Sequence, residues 1–80
     1  MLFFSMKRLT ELKPGENGKV VTIFCSNQGP GFILRLAALG ITTGKEIKVL
    51  RKHWFSPFHI QVGMTELMIR KKDAHEIWVR

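Results

Sequence analysis

Eighty residues and 9.2 kDa give room for one small domain, whose folding buries only about 60–65% of the unfolded chain's surface. A hydrophobic fraction of 45% with 24% charge excludes wholesale disorder. Thirteen Lys and Arg against six Asp and Glu leave a net charge of +7, which turns the chain towards anionic partners: nucleic acid, an acidic protein surface or lipid headgroups.

The opening Met1-Leu2-Phe3-Phe4-Ser5-Met6 is apolar but far short of the ~20 residues that span a bilayer. It lacks the basic start, long apolar run and cleavage site of a secretory signal. Residues 1–8 read as an N-terminal extension and 9–80 as a single domain. Lys13-Pro14-Gly15-Glu16-Asn17-Gly18 is a turn, because proline presets one torsion while glycine and asparagine tolerate positive φ. A strand follows from Lys19 to Cys25, with Val21, Ile23 and Cys25 alternating onto one face. Cys25 is the single cysteine, which rules out an internal disulfide or a Cys-rich zinc site and fits a reducing, cytosolic setting. Its alternation predicts a buried, inert thiol, and no neighbouring acid or oxyanion segment equips it as a nucleophile.

Past Ser26 to Gly31 the spacing predicts a helix over Phe32 to Leu39, entered by Pro30 or Gly31 and stopped by Gly40. At 100° per residue, Phe32, Ile33, Leu36, Ala37 and Leu39 share the expected core face, while Leu34, Arg35 and Ala38 look outward. Arg35 interrupts the longest apolar stretch, so no membrane span is expected. Lys45 to His53 reads as a strand with Ile47 and Val49 inward, Trp54 to Pro57 as a loop, and Phe58 to Val62 as the returning strand. Gly63-Met64 suits a two-residue hairpin turn that pairs Val62 with Thr65, Ile60 with Leu67 and Phe58 with Ile69. A helical turn over Lys71 to His75 and a short strand Glu76 to Val79 complete the chain. About five short strands, one helix inserted after the first and a helical turn before the last predict a mainly β, small SH3-like barrel.

Leu9-x-x-Leu12-x-Pro14-Gly15-x-x-Gly18 followed by Arg35-Leu36-x-x-Leu39-Gly40-Ile41-x-x-Gly44 resembles the signature of the ferrous iron transport protein A (FeoA) family. Ser56-Pro57-Phe58-His59-Ile60 and Leu67-x-Ile69-Arg70-Lys71-Lys72-Asp73-Ala74 extend the resemblance from Leu9 to about Val79. It implies a cytoplasmic, non-enzymatic accessory protein of ferrous iron uptake without a cofactor, whose partner is the cytosolic G-protein domain of the membrane transporter FeoB. Where the family's second hairpin carries a Pro-Leu-Gly-Asp-Pro type loop, this chain has His53-Trp54-Phe55-Ser56-Pro57, with two large aromatics in place of the glycine and the acid.

Exposed apolar side chains mark contact surfaces, so Phe32, Leu34, Arg35 and Ala38 on the helix, with Trp54 and Phe55 at the loop tip, are the candidate partner-binding residues. Lys45, Lys48, Arg51 and Lys52 with Arg70, Lys71 and Lys72 form a candidate basic stripe, which offers an RNA-binding barrel as the alternative function. The aromatics do not interleave with these bases, which disfavours nucleic acid and favours steering towards an acidic protein. His53 and His59 are the candidate metal pair. Opposed residues in their hairpin sum to an odd number and these two sum to an even one, which sends them to opposite faces unless a β-bulge intervenes. A metal-responsive barrel in which histidines bridge chains into a weak homo-oligomer is a further alternative.

Overall fold

The computed structural model describes residues 5–25, 29–53 and 57–80. In chain order these build β1 (Lys7–Arg8), a 3-10 turn (Leu9–Glu11), β2 (Asn17–Ile23), α1 (Gly31–Ala38), β3 (Glu46–Arg51), β4 (Phe58–Val62), β5 (Thr65–Ile69), α2 (Lys71–Ala74) and β6 (Ile77–Val79). The strands form one antiparallel sheet in the order β1-β6-β2-β3-β4-β5. The fold is the mainly β, SH3-like one expected, with a short strand added at the β6 edge: Lys7 pairs with Val79 and Arg8 with Trp78.

Strand β2 is the hinge of the sheet. Its first residues, Asn17 to Lys19, pair with β3, whereas Val20, Thr22 and Ile23 pair with β6. A bulge at Val21 lets the strand serve both halves, because an extra residue bends a strand and increases its twist. The sheet thereby curls round a single core in which Val20, Ile47, Val49, Phe58, Ile60, Val62, Ile69, Ile77 and Val79 join Leu9, Leu12, Phe32, Leu36, Ile41 and Ala74.

That bulge corrects the expected alternation of β2. Val20 and Gly18 are buried before it, while Ile23, opposite Ile77, packs against the core after it. Val21 is only half-buried, and the strand ends at Ile23, which leaves Cys25 exposed rather than buried. Gly18 is required by space: a Cβ there would lie 2.7 Å from both Cβ and Cγ2 of Val79.

The β4–β5 hairpin has the expected register throughout, Val62 to Thr65, Ile60 to Leu67 and Phe58 to Ile69. Gly63 carries the positive φ of +61° that its two-residue turn demands, while Met64 has none. A second bulge, at Leu50, separates the Val49–Ile60 pair from the Arg51–His59 pair. Beyond it the inward positions of the β3 chain become even-numbered, and Lys52 turns under the barrel end.

Candidate functional site

Helix α1 is held at both ends by local chemistry. Its C-terminus closes with paired hydrogen bonds, Gly40 N–H donating to the Ala37 carbonyl and Ile41 N–H to the Leu36 carbonyl, both 2.9 Å. The Schellman geometry needs a left-handed residue, supplied by Gly40 at φ +88°. Pro30 stands at the N-cap and offers no side-chain cap, so the first turn relies on packing.

Only Phe32 and Leu36 are buried on this helix. They lie one turn apart, about 40° from each other on the helical wheel, and form a single row of anchors. Burying two such side chains contributes roughly 3–6 kcal/mol to holding the helix on the barrel. Ile33, Ala37 and Leu39, expected inside, are instead exposed, Ile33 at 38% and Leu39 at 45%. Ile33 and Ala37 sit on the flank of the anchor row. Leu39 is the C-cap itself, where φ −90° and ψ 0° carry the chain off the helical path.

The outer surface of α1 is therefore apolar nearly throughout. Leu34 is 74% exposed, with Ile33, Ala37, Ala38 and Leu39 beside it. Phe32, also expected at a partner surface, leaves that set because it is fully buried. Arg35 is the single charge of the helix. Its guanidinium lies 5.5 Å from the Phe32 ring centroid and 3.8 Å from Asp73 Oδ2. The same oxygen accepts a 3.2 Å bond from Arg70 Nε, so one buried carboxylate ties α1 to α2. Oδ1 of Asp73 is buried and has no hydrogen-bond partner among the described residues. This bridge was not foreseen, although the three-residue spacing of Arg70 and Asp73 on a helical turn hinted at half of it.

The basic residues divide into separate groups. Lys45 lies in the turn before β3, Lys48 and Arg51 project from its outer face, and Arg70, Lys71 and Lys72 surround α2. Lys52 leaves the outer surface: its ammonium donates to the carbonyls of Thr10 at 2.7 Å and Leu12 at 2.9 Å and lies 5.3 Å from the Phe58 ring centroid. It fastens the chain after β3 to the 3-10 turn. His59 projects from the outer face of β4, where Nε2 is 3.0 Å from Glu66 Oε1. The bulge at Leu50 shifts the hairpin's pairing, so the parity that set His53 opposite it no longer holds. His53 is exposed and lines a cleft with Thr10, Lys52, Phe58 and Lys71. Among the described residues no group of three or more His, Cys, Asp or Glu is placed to hold a metal ion. Trp54 and Phe55 lie outside the described residues. Elsewhere the Arg8 guanidinium stacks 4.5 Å over Trp78, whose ring meets Phe24 edge-on at 6.3 Å. Among the described residues no helix is long and apolar enough to cross a membrane.

With this architecture in view, comparison with known proteins is direct. A search of curated proteins gave no match. An iron uptake regulatory protein (FeoA) solved by sulfur phasing is 32% identical, covers 96% of this chain and 97% of its own, and superposes with a TM-score of 0.83. The zinc complex of Stenotrophomonas maltophilia FeoA, a prokaryotic SH3-domain protein, is 26% identical over 90% of this chain and 87% of its own, with a TM-score of 0.77. A manganese-dependent transcriptional repressor shares the fold alone, at 21% identity and a TM-score of 0.81 over 40% of its length. The FeoA domain model matches residues 7–80, and the chain belongs to the FeoA family, a family associated with ferrous iron transport.

Proposed function

We propose that this chain is a non-enzymatic, cytoplasmic accessory protein of ferrous iron uptake that docks through α1 on the cytosolic G domain of a FeoB-type transporter. Family membership supports the iron pathway. The docking face rests on one observation: Leu34, 74% exposed, stands at the centre of an apolar helix surface bearing one charge. Water opposes such a patch, and covering it is favourable. The net charge of +7 steers the chain towards an acidic surface and opposes self-association. Iron is the transporter's cargo, and no step at the metal is assigned to this chain. By binding one conformation of the G domain more tightly, the chain shifts its equilibrium towards that state.

Calorimetric titration of the G domain with the wild-type chain and with Leu34→Glu tests the reading. Burying Leu34 contributes about 1.5–3 kcal/mol, so its loss weakens binding at least roughly tenfold. Equal binding by both proteins, or steeply salt-dependent binding of single-stranded RNA in place of the G domain, contradicts the proposal.

A further inference from the structure

A second surface, remote in chemistry from the apolar helix, lies under the barrel end. A cleft of about 300 Å³ is lined by Thr10, Lys52, His53, Phe58 and Lys71. These residues come from three places in the chain: the 3-10 turn, the β3–β4 hairpin and the first position of α2. The volume is at the low end of small-molecule sites.

Among the described residues the cleft is lined by positive charge without a carboxylate in its wall. Of the carboxylates on the flanking elements, Asp73 is paired with Arg70 and Arg35, and Glu11 accepts the Arg8 backbone N–H and makes no ion pair with the cleft lysines. Lys52, His53 and Lys71 take part in none of the ion pairs among the described residues. Lys52 is half-buried, and its ammonium gives two of its three N–H groups to the Thr10 and Leu12 carbonyls. Those bonds fix the ammonium in place and leave one donor over. A partly desolvated cation held rigidly without a counter-charge attracts an anion and pays little ordering cost on binding it.

We infer that this cleft binds a phosphate group. Lysine binds phosphate as a point charge that needs no bidentate alignment, and the cleft's two described lysines, Lys52 and Lys71, supply that charge. The cleft's donors come from two chain segments, Lys52 and His53 after β3 and Lys71 at the start of α2, so an oxyanion seated between them would bridge the two. The apolar wall at Phe58 gives space for a small organic body attached to the phosphate.

Amide NMR titration of the intact chain tests this with inorganic phosphate, adenosine monophosphate and a short polyglutamate peptide, each against sodium chloride at equal ionic strength. The expected result is saturable shifts at Thr10, Lys52, His53, Phe58 and Lys71 with phosphate, absent with chloride. Lys71→Glu, an exposed substitution, weakens the response at least tenfold, while the outer-face control Lys48→Glu does not. Tighter binding of the nucleotide than of inorganic phosphate identifies a phosphate monoester as the ligand, and equal binding identifies the free ion. Non-saturating shifts spread over every lysine, or saturable binding of polyglutamate in preference to phosphate, overturns the inference. Because α1 takes no part in this cleft, Leu34→Glu leaves phosphate binding unchanged whether or not α1 docks on the transporter.

Discussion

Two glycine-to-alanine substitutions, chemically identical, should change stability in opposite directions. Gly18 and Gly31 both have ordinary backbone torsions, so neither is required for a left-handed conformation. At Gly18 the added Cβ would stand 2.7 Å from Val79 Cβ and Cγ2 and 3.0 Å from Leu12 Cδ1. Carbon atoms rest at about 3.5–4.0 Å, so the new methyl overlaps by most of an ångström. Rotating the valine does not relieve this, because Val79 Cβ is fixed to the backbone of β6. The two halves of the sheet must separate at the point where β2 passes between them. Overpacking of this kind costs about 1–3 kcal/mol, offset by about 0.4–1 kcal/mol from the less flexible unfolded chain. The central values leave a net loss of about 1.3 kcal/mol, or roughly 5–10 °C in Tm for a domain of this size. At Gly31, the first residue of α1, nothing lies within 4 Å of the new methyl. Gly31→Ala should therefore stabilise by about 0.4–1 kcal/mol. Urea unfolding followed by tryptophan fluorescence reads both. A Gly18→Ala protein as stable as wild type would refute the close passage of β2 over β6.

Lys52→Met should cost about 1–2 kcal/mol, because the Thr10 and Leu12 carbonyls lose their shared donor, whereas Lys48→Met on the outer face should stay within about 0.5 kcal/mol. Denaturant melts of the two variants provide the comparison. Asp73→Ala should cost only about 1–2 kcal/mol, since the guanidinium groups of Arg35 and Arg70 are more than half exposed and rehydrate. Replacing both arginines by methionine strands a buried carboxylate and should cost more, about 3 kcal/mol, so a double variant more stable than Asp73→Ala would contradict the bridge. Leu34→Glu should unfold within about 0.5 kcal/mol of wild type, as its side chain supports nothing, and a larger loss by the same melt would place it in the core.

The hairpin from Phe58 to Ile69 was legible in the sequence because turn and alternation specify the same register, and a slip of one residue would expose every apolar side chain. The helix and its stop at Gly40 were legible for a similar reason, cap and apolar spacing agreeing. Errors arose where the chain departs from strict alternation. The bulge at Val21 reversed the inward parity of β2, and the bulge at Leu50 turned Lys52 away from the expected basic stripe to the half-buried site where it meets the Thr10 and Leu12 carbonyls. Neither position carries a glycine or proline to signal it. The helix face was read too wide, because an apolar period specifies which residues are able to be buried but not how much of the helix the barrel covers. The outward direction of Leu34 followed directly from the wheel, and its 74% exposure agrees.

Docking through α1 is tested most directly by backbone amide NMR of the labelled chain titrated with the transporter's isolated G domain. The account predicts shifts clustered on Ile33, Leu34, Arg35, Ala38 and Leu39, only weakly reduced by added salt at moderate ionic strength and needing at least roughly tenfold more G domain in Leu34→Glu. Shifts confined to Lys45, Lys48 and the α2 lysines, or a spectrum unaltered at saturating G domain, would contradict it.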